Sequence, residues 1–138
     1  MKKLVKDVGV DAGMILICDL DYYKKYEEEP FIDNKISKAF IIKNGTYKTD
    51  WEIPKTWDGP IDGSGIIRIT SSVIVVSDPC YVLKDGWDKW LEVTDFGLYA
   101  DDNTILINSM GGDGNYDVHL NIERVKELWK NSKHIMME

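Results

Sequence analysis

The chain is short of the residues from which most catalytic centres and covalent staples are built. It has two cysteines and two histidines in 138 residues. Cys18 and Cys80 suit free thiols in a reducing compartment better than a disulfide framework. No Cys/His spacing matches a structural zinc site. No apolar run approaches the roughly 20 residues of a membrane span. Met1-Lys2-Lys3-Leu4 is not followed by the apolar core of a secretory signal, so secretion is not expected. Basic charge is short too: 17 Lys and Arg against 24 Asp and Glu leave a net charge of −7. Such a surface repels phosphate backbones, so general nucleic-acid binding is not expected. These absences point to a cytoplasmic protein with no membrane association, no metal and no cofactor.

What is present is β-branched and aromatic. The run Ile66 to Tyr81 is the most apolar and most β-branched in the chain, and Val, Ile and Thr suit a pleated surface. Val73 to Val76 are apolar without alternation, which predicts a strand buried on both faces. Pro79 ends it, because proline has no N–H for a ladder. The same text stands earlier. Val8 to Tyr22 aligns with Ile67 to Tyr81 without a gap, placing Gly13 on Ser72, Ile17 on Val76, Asp19 on Asp78 and Tyr22 on Tyr81. A second echo sets Phe40-Ile41-Ile42 against Ile105-Leu106-Ile107, and Gly45-Thr46-Tyr47 against Gly114-Asn115-Tyr116. The 138 residues therefore read as one domain of two pseudo-repeat halves, at about 8–53 and 66–120. The stretch Pro54 to Gly65, rich in Pro and Gly, separates them.

Strands are expected near Val8–Asp11, Met14–Cys18, Lys38–Lys43, Tyr47–Ile53, Thr104–Asn108 and Tyr116–Leu120. Short helices or turns are expected at Tyr22–Glu29 and Asp85–Leu91. Asn121 is a candidate cap for a helix at about 122–131, since Ile122, Val125, Leu128 and Trp129 recur at helical spacing. The predicted fold is α+β: a β-rich bent sheet, sandwich or half-barrel from two pseudo-repeats with a C-terminal helix.

Two local texts are the most distinctive: Asp78-Pro79-Cys80-Tyr81 at a strand end and Gly112-Asp113-Gly114-Asn115-Tyr116 in a glycine-dense loop. With Trp87 or Trp90 between them, they resemble a family of small phage and bacterial proteins, a domain of unknown function. That family carries Asp-Pro-Cys-Tyr at a strand end and Gly-Asp-Gly-x-Tyr-x-Val near the C-terminus. The resemblance covers Ile67 to Leu120 and, more faintly, Val10-Asp11-Ala12-Gly13. It implies a compact β-rich fold and no particular activity. Asp117 departs from the pattern, as does an ending in a helix. If the chain is phage-encoded, its compartment is the host cell cytoplasm.

Two readings of these motifs stand side by side. Asp before Pro and Asp before Gly are turn chemistry. Alternatively, Asp78, Tyr81, Gly112, Asp113, Gly114 and Tyr116 form a ligand-binding rim. There, loop N–H groups, two tyrosines and carboxylates would receive a nucleotide-like small molecule. The expected function is a non-enzymatic binding protein of phage type that sequesters a nucleotide-like host signal. A small metal-assisted hydrolase using Asp78 and Asp113 is the competing class, and a protein-binding or structural accessory protein the third. Cys80 with His119 as its base is a further catalytic pairing to test. Exposed strand edges also lead to the expectation of a homo-oligomer, with a C2 dimer as the modal state.

Overall fold

The computed structural model describes residues 1–52, 64–97, 100–101, 103–107 and 113–125. The elements run β1 (Lys2–Val10), β2 (Ile15–Asp19), α1 (Leu20–Lys24), β3 (Lys38–Ile41), β4 (Gly45–Glu52), β5 (Ser64–Ile69) and β6 (Val73–Ser77). They continue α2 (Pro79–Val82), α3 (Trp87–Thr94), β7 (Ile105–Ile107) and β8 (Gly114–Arg124). One antiparallel sheet has the order β1-β8-β4-β5 and the other β3-β6-β2-β7. The fold is α+β and strand-rich.

Two buried clusters show why the central strands are apolar throughout. Ile15 and Ile17 of β2, with Ile74 and Val76 of β6, face the first sheet and meet Val8, Val10, Ile67, Ile69, Val118 and Leu120. Leu16, Cys18 and Val75 project the other way, toward Tyr22, Tyr23, Val82, Leu83 and Trp90 of the helical side. Successive strand side chains alternate between faces, so a strand covered on both faces is apolar at every position. Burying each such side chain is worth about 1.5–3 kcal/mol. Trp90 anchors the helical layer: it is 0% exposed, and its Nε1 donates to the Tyr22 hydroxyl at 3.1 Å.

The apolar run does not form one strand. It breaks at Thr70–Ser72, where the chain leaves the first sheet and enters the second, just as β1 passes to β2 through Asp11–Gly13. Gly13 and Ser72 hold the same left-handed conformation, at φ 78° and 61°. That conformation is free for glycine; at Ser72, Asn44 Oδ1 supports it by accepting from the Ser72 N–H at 2.7 Å and hydroxyl at 3.1 Å.

The ladders carry the repeat as a pseudo-dyad. Ile17 pairs with Val76, its own counterpart, and Cys18 with Val75 next to it. In the other sheet Trp51 pairs with Leu120, and the ladder outward from this rung pairs Tyr47 with Arg124. Val10 opposite Gly114 matches Ile69 opposite Gly45, and Val8 opposite Tyr116 matches Ile67 opposite Tyr47. Gly45 and Gly114 share φ values of 154° and 152°.

Two sequence expectations need correction. The echo of β3 in β7 is two residues out of register. Leu16 pairs with Leu106 and its counterpart Val75 with Ala39, so Ile107, not Ile105, corresponds to Phe40. The helix expected from Ile122 does not begin there. Asn121, Ile122 and Glu123 are rungs of β8 opposite Asp50, Thr49 and Lys48, and the Ile122 N–H donates to Met1 O at 2.8 Å. The remainder of that expected helix, 126–131, lies outside the described residues.

Candidate functional site: the rim at the end of the second copy

Asp78 sits where β6 runs into α2 and is 0% exposed. Its Oδ1 accepts from the Cys80 N–H at 3.0 Å, capping α2, with Pro79 at the first helical position. Its Oδ2 accepts from the Asp11 N–H at 2.9 Å and the Ala12 N–H at 2.6 Å. One carboxylate therefore starts its own helix and clasps the turn of the other copy. Three donors occupy it, so Asp78 holds the rim together and offers a ligand little. Asp19 is the counterpart. It accepts from the Ser71 N–H at 3.2 Å, the Ser71 hydroxyl at 2.5 Å and the Thr70 hydroxyl at 2.8 Å. Each copy's aspartate clasps the other copy's turn.

Tyr81, on α2, lies against β1. A Cβ on Gly9 would stand 3.2 Å from the Tyr81 ring and 3.0 Å from Ile36 Cγ2. Burial raises the Tyr81 phenol above its ordinary value, and the negative field of Asp11, Cys80, Asp78 and Asp113 raises it further. Asp11 and Asp113 are thus both within electrostatic reach of Tyr81, and both are exposed. Gly114 begins β8 opposite Val10, the last residue of β1, and no atom of the described residues lies within 4 Å of where its Cβ would be. The strands preceding the two motifs, β6 and β7, are not neighbours: β2 lies between them. Both are antiparallel to β2, so their C-terminal ends lie at the same end of the sheet.

The structure therefore brings Asp78, Tyr81, Asp113 and Gly114 to one rim. Tyr116 is half-buried and packs against the core between the sheets. Gly112 lies outside the described residues. Asp11 is the rim residue that the motifs alone do not reveal; the gapless alignment marks it only as the position opposite Thr70.

The catalytic pairings fare differently. His119 is a rung with Leu4 and Glu52, five residues along β8 from Gly114. At about 3.4 Å per residue, that is roughly 17 Å from the rim. Burial, followed by the field of Asp78, holds the Cys80 thiol far above its ordinary value, so it is not a ready nucleophile. Among the described residues no group of three or more His, Cys, Asp or Glu is placed to hold a metal ion. No helix among them is long and apolar enough to cross a membrane. Neither family models, curated proteins nor solved structures give a match to this chain.

Proposed function

We propose that the protein is a non-enzymatic binding module, of the phage type its motifs suggest, acting in the cytoplasm of the producing or host cell. It takes a nucleotide-like small molecule at the Tyr81 rim. The observation that carries this reading is that exposed Asp11 and Asp113 lie within electrostatic reach of the half-buried Tyr81, beside a glycine whose Cβ position has no described residue within 4 Å. Carboxylates accept hydrogen bonds and repel phosphate, so the recognised part is a ribose diol or a base amino group rather than the phosphate. The aromatic face supplies stacking, worth about 1–3 kcal/mol per base.

The test uses adenosine as the probe, with titration calorimetry and thermal melting on Asp113→Asn and Tyr81→Phe. Affinity should fall about tenfold in each, with the melting temperature unchanged, whereas Tyr116→Ala should lower the melting temperature because it empties core volume. No binding heat from the unmodified protein, or unchanged affinity in both rim variants, removes the rim from the account.

Self-association belongs to the same reading. β3 is an edge strand of its sheet and its Ile41 is 87% exposed. Unprotected edges with apolar side chains favour strand pairing between copies. Light scattering in the micromolar range should give twice the 15.8 kDa chain mass; a mass of one chain throughout contradicts the dimer.

A further inference from the structure

Among the described residues the edge strands of the two sheets are β1, β5, β3 and β7. All but β3 are guarded in ways that stop a sheet from growing. β1 carries Lys2, Lys3 and Lys6, and a bulge between Val5 and Val8 holds Asp7 at φ 55°. β5 and β7 shield each other: a Cβ on Gly65 would stand 3.2 Å from Ile105 Cγ1 and 3.3 Å from Thr104 O. β3 has none of these devices. It reads Lys38-Ala39-Phe40-Ile41, without proline, bulge or acidic residue. Its only charge is turned back on its own chain: the Lys38 ammonium donates to Asn34 O at 2.6 Å and to Lys35 O at 3.2 Å.

The ladder fixes which backbone groups of β3 face the open side. The Ile42 N–H donates to Ser72 O at 3.0 Å. In an antiparallel ladder the hydrogen-bonded rungs recur at every second residue. Lys38 opposite Val76 and Phe40 opposite Ile74 are therefore bonded rungs as well. Ala39 and Ile41 direct their N–H and C=O groups away from β6, and among the described residues no strand pairs with that side. Side chains alternate along the same strand. Phe40 packs toward the core between the sheets, with the Lys3 ammonium 4.4 Å from its ring centroid. Ala39 lies on the helical face, as does exposed Ile41.

We infer, building on the self-association proposed above, that β3 is the dimer interface and pairs antiparallel with β3 of a second copy about a two-fold axis at Phe40. Only residues whose backbone groups face the open side can form bonded rungs, so Ala39 and Ile41 make them. An axis at Ala39 would leave Ile41 opposite the partner's Ser37, and an axis at Ile41 would leave Ala39 opposite the partner's Lys43. An axis at Phe40 sets Ala39 opposite the partner's Ile41 and uses both residues of both copies. Directly opposite side chains share a face, so each large exposed Ile41 rests on a small Ala39. Phe40 then meets the partner's Phe40 on the intervening rung, where side chains approach most closely. Large and small residues exchange places under the axis, so the strand is complementary to itself, and the occupant is a second copy rather than a foreign strand.

Light scattering across the micromolar range, on the unmodified chain and on Ile41→Lys, tests the interface. Ile41 is exposed, so Ile41→Lys should keep its melting temperature at low concentration and dimerise at least about tenfold more weakly. A single-chain mass at every concentration of the unmodified chain overturns the self-association and this interface together. Undiminished dimerisation of folded Ile41→Lys overturns β3 and leaves self-association to another surface. Hydrogen exchange gives a second readout: the amides of Ala39 and Ile41 should slow as concentration rises, while that of Phe40, already bonded within the chain, should not. A dimer that leaves the Ala39 and Ile41 amides unprotected also overturns β3. The register is read by mild oxidation of an equal mixture of Ala39→Cys and Ile41→Cys, with the unmodified chain as background for Cys18 and Cys80. The mixture should yield more cross-linked dimer than either variant alone. Equal or greater cross-linking by one variant alone overturns the axis at Phe40.

Discussion

Asp78→Ala is expected to lower the unfolding free energy by about 3–5 kcal/mol, measured by denaturant unfolding with an unchanged m-value. The substitution strands the N–H groups of Asp11, Ala12 and Cys80, which today share one buried carboxylate. Hydrogen bonds to a charged acceptor are each worth about 1.5–3 kcal/mol net, and water can repair only the part of the turn that reaches solvent. The same change at Asp19 should cost less, because two of its three donors are hydroxyls that can rotate to other acceptors. The clasps lie at opposite ends of the dyad and share no partner, so the double variant should be close to additive. A loss below about 1 kcal/mol at Asp78 would show that the turns hold themselves.

The second large effect is a loss of stability in alkali. The Cys18 thiol and the Tyr23 hydroxyl are 0% exposed, and burial is the first cause raising each above its ordinary value, 9.0 and 10.0 respectively. Tyr22 is raised as well, again by burial first. The sign follows from proton counting. Below about pH 9 both folded and unfolded chains keep these protons, and the groups contribute no pH dependence. Above the ordinary values the unfolded chain releases them while the folded chain retains them, so unfolding becomes easier as pH rises. Each group adds about 1.4 kcal/mol of lost stability per pH unit in its window. Cys18 acts alone from about pH 9 and is joined by the tyrosines from about pH 10. Melting temperatures should therefore fall slowly to pH 9.5 and steeply beyond pH 10. Cys18→Ala should remove the early part of the slope. A melting temperature flat to pH 11 would mean that these groups titrate in place.

Much of this organisation is legible in the sequence because the repeat is carried by residues with a local reason to recur. Asp19 and Asp78 end strands and begin helices; Gly13 and Ser72 sit at left-handed corners; Gly45 and Gly114 open the long strands. The alignment that pairs these residues also pairs the strands that later meet across the dyad. What could not be read is what each carboxylate touches: Asp78 is satisfied by Asp11 and Ala12, far away in the chain. Matching by apolar type puts Phe40 on Ile105, which is not the β3 register. The ladder instead puts Lys38 there, its ammonium turned to Asn34 O and Lys35 O. The C-terminal strand is longer than the sequence pattern suggests for a similar reason. Ile122 and Val125 fit a helical spacing, but Val118, Leu120 and Ile122 fit a spacing of two, and the ladder with β4 decides for the latter. Of the rim, the motifs disclosed Tyr81, Asp113 and Gly114.

The most direct test of the binding reading is native mass spectrometry of the protein as isolated from the cells that make it, run beside the denatured chain and repeated with added adenosine. The native mass should exceed that of the bare subunits by one small molecule per chain. The excess should be lost on denaturation and lost in Asp113→Asn. Native and denatured masses that agree, for the unmodified protein and in the presence of adenosine alike, would contradict it.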